Sequence, residues 1–265
     1  MKKLKLGVIL TLTSSLILLS ACGKSSSEAD LNSKKAVKAV KNIVEASGVV
    51  KASNIEDIVL DISNGVTGRV NKIDVKEGQK VKKGDKLVEL NLEEYNAQIN
   101  EKELEVDSLK TQRKDIYGDN LLKIQDNKIN SAEQELKILK SETNKSYLND
   151  NIIVSDMDNA VVGEIGYKNG DILSPALKVL SLSDLNTLYI EAKVNEEFIK
   201  DVKEGKEVNI IPTADISKNY KGKVLRISSS ANTLNGETFV IVDISIEGND
   251  GLLLPNYNVQ LEINK

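Results

Sequence analysis

Histidine and tryptophan are absent from this 265-residue chain, cysteine occurs once, phenylalanine twice and proline three times. Without histidine there is no side chain that ordinarily titrates near neutral pH, no Ser-His or Cys-His nucleophile pair and no imidazole metal ligand. The single cysteine, Cys22, cannot form an internal disulfide. So few aromatic rings leave Ile, Leu and Val to build the core, and argue against an aromatic platform for sugars. With 36 basic and 40 acidic residues the net charge is −4, which gives no general case for nucleic-acid binding. Asp156, Asp158, Asp171, Asp184 and Asp215 do not follow a calcium-loop spacing, so no metal is assigned to them. No catalytic constellation stands out, and an enzyme is not expected.

What is present begins at the N-terminus. Lys2, Lys3 and Lys5 precede an apolar and hydroxyl run over residues 8–19, the length of a signal-peptide core and short for a membrane span. It ends in Leu19-Ser20-Ala21-Cys22. The order of basic start, apolar core, small residues and Cys resembles the bacterial lipoprotein signal. The resemblance implies a signal peptide over residues 1–21, cleavage before Cys22, and a thioether-linked diacylglycerol on the Cys22 sulfur. Two acyl chains anchor a protein to a bilayer where one does not. Residues 22–39 are polar and poor in large apolar groups, and read as a flexible tether. Residues 40–57 contain strand-like stretches expected to join the C-terminal part.

Two related β-rich segments follow, over residues 58–91 and 150–183. Aligning Gly68-Arg69-Val70 with Gly163-Glu164-Ile165 brings Val75 onto Tyr167 and Gly78 onto Gly170 after some slack, and Leu87 onto Lys178. In the first half Val75, Gly78, Val81, Gly84, Leu87 and Leu90 recur every third position, which is neither a strand nor a helix period. It suits short strands joined by tight turns at Gly78 and Gly84. Neither half can bury its apolar face alone, so the two are expected to close on one another as one domain.

Residues 92–149 separate the halves and contain no proline and one glycine. Leu92, Tyr95, Ile99, Lys102, Val106, Leu109, Arg113 and Ile116 alternate in steps of three and four, the seam of a coiled coil. Leu122, Gln125, Ile129, Ala132, Leu136, Leu139, Thr143 and Ser146 do the same. Lys102, Arg113 and Gln125 interrupt the seam and are expected to weaken it. Tyr117-Gly118-Asp119-Asn120 carries the reversal signal between the two helices. A hairpin projecting tens of ångströms from a small β domain points to a spacer and contact arm.

The C-terminal part, residues 184–265, reads as short strands at 188–195, 207–211, 221–228, 238–246 and 259–263, with a short helix at 196–202 and a hairpin turn at Asn235-Gly236. These make a small antiparallel β-barrel. The fold class expected is mainly β with an α-helical coiled-coil hairpin.

This order of parts resembles the periplasmic adaptor, or membrane fusion, proteins of bacterial efflux systems (the HlyD-like adaptors), in a Gram-positive-type lipoprotein form. The residues that carry the likeness are Gly78-Gln79-Lys80-Val81-Lys82-Lys83-Gly84 in the first half, and the strand, helix and turn from Leu188 to Gly205. The split domain is similar to lipoyl/biotinyl carrier domains. Those carriers present a modified lysine where this chain has its hairpin, so no cofactor is expected. Ser155-Asp156 replaces the family's Ala-Pro, and Pro255-Asn256-Tyr257 its Pro-Gly-Met, where Asn can still take the left-handed shape. The hairpin has no Arg-Leu-Ser tip of the sort that meets an outer-membrane channel, which a lipid-anchored adaptor in a single-membrane bacterium would not need, and a full membrane-proximal domain after the barrel is not expected. The resemblance implies a non-enzymatic adaptor on the extracytoplasmic face of the cell membrane, assembling with an ABC-type permease, indirectly with its ATPase, and with copies of itself. Tyr117, Gly118, Asp119, Asn120, Gly78 and Gly84 are the candidate contact residues. A stand-alone ligand- or cell-wall-binding surface lipoprotein is the alternative.

Overall fold

A computed structural model describes residues 42–62, 67–175 and 177–265. Asn42–Lys265 forms one compact unit; the expectations on the signal peptide, Cys22 and the tether lie outside the described residues. In chain order the elements are β1 (Ile43–Ala52), β2 (Ile55–Ile58), β3 (Arg69–Ile73), β4 (Lys80–Val81), β5 (Lys86–Asn91), α1 (Glu93–Arg113) and α2 (Asp119–Thr143). Then follow β6 (Leu148–Asn149), β7 (Ile152–Val154), β8 (Ala160–Ile165), β9 (Leu180–Asp184), β10 (Leu188–Asn195), a 3₁₀ turn (Glu196–Asp201), β11 (Glu207–Pro212), β12 (Tyr220–Leu234), β13 (Glu237–Ser245) and β14 (Asn258–Asn264). The architecture is mainly β with a helical hairpin, as the sequence pattern predicts.

Six strands close a barrel in the order β1-β10-β13-β12-β11-β14. Alternation decides which side chains enter it: Val44 and Val50, Ile190, Ala192 and Val194, Val208 and Ile210, Val240, Val242 and Ile244, Val259, Leu261 and Ile263 are all buried. β1 closes the ring by pairing with β10 on one side and β14 on the other. Asn235 and Gly236 both take positive φ (53° and 85°), the backbone of a type I′ hairpin. Asn256 takes φ 69°, the left-handed shape anticipated for it.

The split domain is two four-stranded sheets, β2-β9-β8-β4 and β3-β5-β7-β6. Each sheet mixes strands from both halves: β2 pairs with β9, and β5 with β7. Neither half would therefore have a complete sheet alone. The core between them is Ile58, Leu60, Ile62, Val70, Leu87, Val88, Leu90, Ile153, Val162, Val179, Leu180 and Leu182.

Hydrogen bonds fix how the two halves correspond. Gly78 N–H donates to the Val162 carbonyl and Val162 N–H to that of Gln79, while Gly170 N–H donates to Val70 and Val70 N–H to Asp171. Asp74 N–H likewise donates to Leu87, and Gly166 N–H to Val179. Val70 therefore matches Val162, Gly78 matches Gly170, and Leu87 matches Val179, all at one sequence offset with no slack. The alignment of Gly68 with Gly163 is out of register, as is that of Leu87 with Lys178. Gly163 misled it because its role is local: β8 has a register shift between Val162 and Ile165, and a Cβ at Gly163 would stand 2.3 Å from Ser181 Oγ.

Candidate assembly surfaces

The helical hairpin grows from the end of β5. Asn91 Oδ1 accepts the Glu93 N–H at the start of α1, and the Glu94 carboxylate, also in the first turn, accepts the Thr67 N–H and hydroxyl. With 21 and 25 residues at 1.5 Å each, α1 and α2 extend about 31 and 37 Å. Tyr95, Val106, Ile129, Ala132 and Leu139 of the expected seam are buried. The Tyr95 hydroxyl donates to the Leu139 carbonyl at 2.9 Å, joining the two helices at their base.

The three residues expected to weaken the seam each find a partner across it. Lys102 bridges to Glu135 at 2.8 Å, Arg113 holds both carboxylate oxygens of Asp126, and Gln125 donates to the Leu109 carbonyl at 2.9 Å. The Glu105 and Glu135 carboxylates hold the Lys102 ammonium well above the usual lysine range, and Arg113 pulls Asp126 below that of a carboxylate. Lys110–Glu133 and Lys140–Glu103 add further cross-helix pairs.

The reversal falls slightly earlier than the sequence signal. α1 ends at Arg113 and α2 starts at Asp119, so residues 114–118 make the turn and Asp119 and Asn120 sit in the first turn of α2. Tyr117 is 83% exposed at the tip. Leu121 and Ile124 nearby, and Ile138 further down α2, are also exposed. Gly78 and Gly84 take φ 78° and 87° in the turns on either side of β4, with open space where a side chain would stand. β5 separates Gly84 from α1, and Lys80 of β4 approaches Gly251 of the barrel. The candidate contact residues thus form two groups, one at the hairpin tip and one on the barrel side of the split domain. They are not brought together.

The connection between split domain and barrel is a pair of linkers tied to each other. Ser53 N–H donates to the Thr187 carbonyl, Asn54 N–H to the Thr187 hydroxyl, and Asp184 N–H to the Asn54 carbonyl. Beside this joint lies an open polar cleft lined by Asn54, Glu56, Asp156, Asp158, Asp184 and Asn186. Three of the five aspartates singled out in the sequence meet here; Asp171 and Asp215 do not. Among the described residues no group of three or more carboxylates is arranged to hold a metal ion. Burial, and Asp156 beside it, push the Glu56 carboxyl up to about 7. The sequence offered no signal for Glu56, which sits in an ordinary alternating strand. On the barrel, Lys218 and the Tyr220 hydroxyl pull Asp250 down to about 2.

No protein-family model matches the sequence, and no curated protein does. Solved structures do match. The crystal structure of a MacA–MexA chimera containing the Pseudomonas aeruginosa MexA α-hairpin domain is 19% identical, covering 84% of this chain and 81% of that one, with a TM-score of 0.64. MacA from Actinobacillus actinomycetemcomitans is 21% identical over 83% of this chain and 78% of its own, with a TM-score of 0.57. The periplasmic adaptor protein EmrA is 18% identical over 83% of this chain and 98% of its own, with a TM-score of 0.52. At such identities the likeness is one of fold. The chain has the fold of the periplasmic adaptor, or membrane fusion, proteins.

Proposed function

We propose that this chain is a non-enzymatic adaptor subunit of a bacterial export system, held by acylated Cys22 on the outer face of the cytoplasmic membrane and assembling with an ABC-type permease. The observation that carries the reading is the order of parts: a carrier-like sandwich whose halves are separated by a helical hairpin, followed by a barrel. At the place where a carrier domain would offer a lysine for modification, the chain instead builds an arm over 30 Å long. An arm of that length costs ordering entropy and has no chemistry of its own, so its use is contact. Tyr117 at the tip, with Leu121, Ile124 and Ile138 on one flank of α2 outside the seam, offers apolar surface to a partner or a second copy. An adaptor acts by binding one state of its transporter better than the other, which shifts that transporter's equilibrium without a chemical step.

The test is purification of the acylated protein from its native membranes in mild detergent, with co-purifying proteins identified by mass spectrometry. Recovery of a multi-span permease and its cytoplasmic ATPase, lost on substitution of the hairpin tip, is the expected result. Recovery of the lipoprotein alone after crosslinking in intact cells would favour the stand-alone ligand-binding alternative.

A further inference from the structure

Glu56 and Asp156 meet at the point where three parts of the chain converge. Glu56 is on β2, the strand that follows directly from the barrel linker. Asp156 follows β7 and accepts the Ser146 hydroxyl on Oδ2 at 2.8 Å. Ser146 and Tyr147 connect α2 to β6; the Tyr147 hydroxyl donates to the Val59 carbonyl at 2.9 Å, and Val154 N–H donates to the Tyr147 carbonyl at 2.8 Å. The base of the hairpin is thereby fastened both to the residue that follows β2 and to the segment carrying Asp156.

The two carboxyls stand within hydrogen-bonding reach of one another, and Glu56 Oε2 is buried without a donor among the described residues. Both groups are acceptors when ionised, so only a proton can make a bond between them. A buried acceptor without a donor is costly, and two adjacent carboxylates repel. We propose that Glu56 keeps its proton and donates it to the Asp156 carboxylate, and that this bond locks the base of the helical hairpin to the strand entering from the barrel.

The surrounding groups favour the protonated pair. Asp158 and Asp184 line the same cleft, and Glu142 at the end of α2, paired with Lys145, faces Tyr147 together with Glu56 and Asp156. The Tyr147 phenol is itself pushed above its usual range by burial and these carboxyls. Among the described residues no lysine or arginine pairs with Glu56. Losing the Glu56 proton leaves two like charges side by side in a negative setting, and Asp156 then moves away from β2, drawing Ser146 with it. The Glu56 carboxyl titrates at about 7, so this release falls within the physiological range. The device stands independently of the transporter assigned as partner, because it concerns only how the arm is held.

The experiment uses the full acylated chain in lipid nanodiscs, with spin labels on Lys123→Cys in α2 and Lys221→Cys in β12, and distances read by pulsed electron resonance. The expected result is a narrow distance distribution at pH 5.5 that broadens by pH 8.5 with a midpoint near 7. In Glu56→Gln and in Asp156→Asn, where an amide donates in place of the proton, the distribution stays narrow at both pH values. A distribution unchanged between the two pH values in the otherwise native protein overturns the proposal. So does a transition of full size in either folded amide variant. The native-sequence comparison decides the matter even if one variant does not fold.

Discussion

Two glycines with similar surroundings in sequence make opposite demands in space. At Gly222 a Cβ would stand 2.0 Å from the Ser245 carbonyl oxygen and 2.9 Å from Ile210, inside the barrel wall. At Gly78 the space is open and the requirement is the positive φ of 78°. Gly222→Ala should therefore cost about 3 kcal/mol or more through forced displacement of β13, and Gly78→Ala about 1–2 kcal/mol through backbone strain alone. Urea unfolding of the two variants checks the order; an equal loss would mean that the barrel wall yields at β12. Charge acts at the same scale, with opposite signs at two sites. The Asp250 carboxyl is held at about 2 against 3.8 when unfolded, so its contribution is present above pH 3.8 and is lost as pH falls through about 2. The Glu56 carboxyl is raised from 4.5 to about 7, so its contribution is full below pH 4.5 and is lost as pH rises through about 7. Melting temperatures followed from pH 2 to 8 should show both limbs. Asp250→Asn should make the acid limb shallower without removing it, because Asp126 and other lowered carboxylates also contribute there, and Glu56→Gln should reduce the neutral limb only.

At the scale of elements the hairpin is held by its seam far more than by its ion pairs. Arg113 and Asp126 are 45% and 43% exposed, so a double-mutant cycle across them should return about 0.2–1 kcal/mol of coupling, diminishing in high salt. Ile129→Ala, in the buried seam, should destabilise by about 2–4 kcal/mol. Hydrogen exchange along α1 and α2 reads both, and a larger loss at the ion pair than at Ile129 would reverse this ranking. The seam was legible because burial of one stripe imposes the three-and-four spacing on the sequence itself. Its polar breaks were misread because spacing reports where a side chain points and not whether a partner waits for it: Gln125 is buried, yet its amide reaches the Leu109 carbonyl. The tip was placed late for a related reason, since Asp119 and Asn120 favour turns but equally open a helix. In the β domain, turns and strands were visible while register was not. Val70 against Val162 is set by bulges and cross-half hydrogen bonds that leave no periodic mark in a run of short strands. The Glu56–Asp156 pair was invisible for the strongest reason, being a contact between residues a hundred positions apart.

For the whole molecule, the pairing of strands across the insertion implies that the body does not need the arm in order to fold. Leu90 N–H donates to the Asn151 carbonyl at 2.8 Å, so the two chain ends that carry the hairpin are already in contact at its base. Tyr95, Leu139 and Leu148 belong to the core of the split domain and Ile99 packs against it, whereas Val106, Ile129 and Ala132 are buried outside that core. The division between body and arm thus falls just beyond Ile99 on α1 and Leu139 on α2. Replacing residues 100–135 by a short Gly/Ser turn should leave both sheets and the barrel intact, because closing a short loop between adjacent helix ends costs little entropy. The expected protein melts within a few degrees of the parent, keeps its β-sheet circular dichroism and loses most of its helical signal at 222 nm. If the arm is the contact element, the same protein is fully folded and yet leaves its membrane partner behind on purification. A truncated body that no longer folds would instead make the hairpin part of the folding unit, and the loss of a partner would then say nothing about contact.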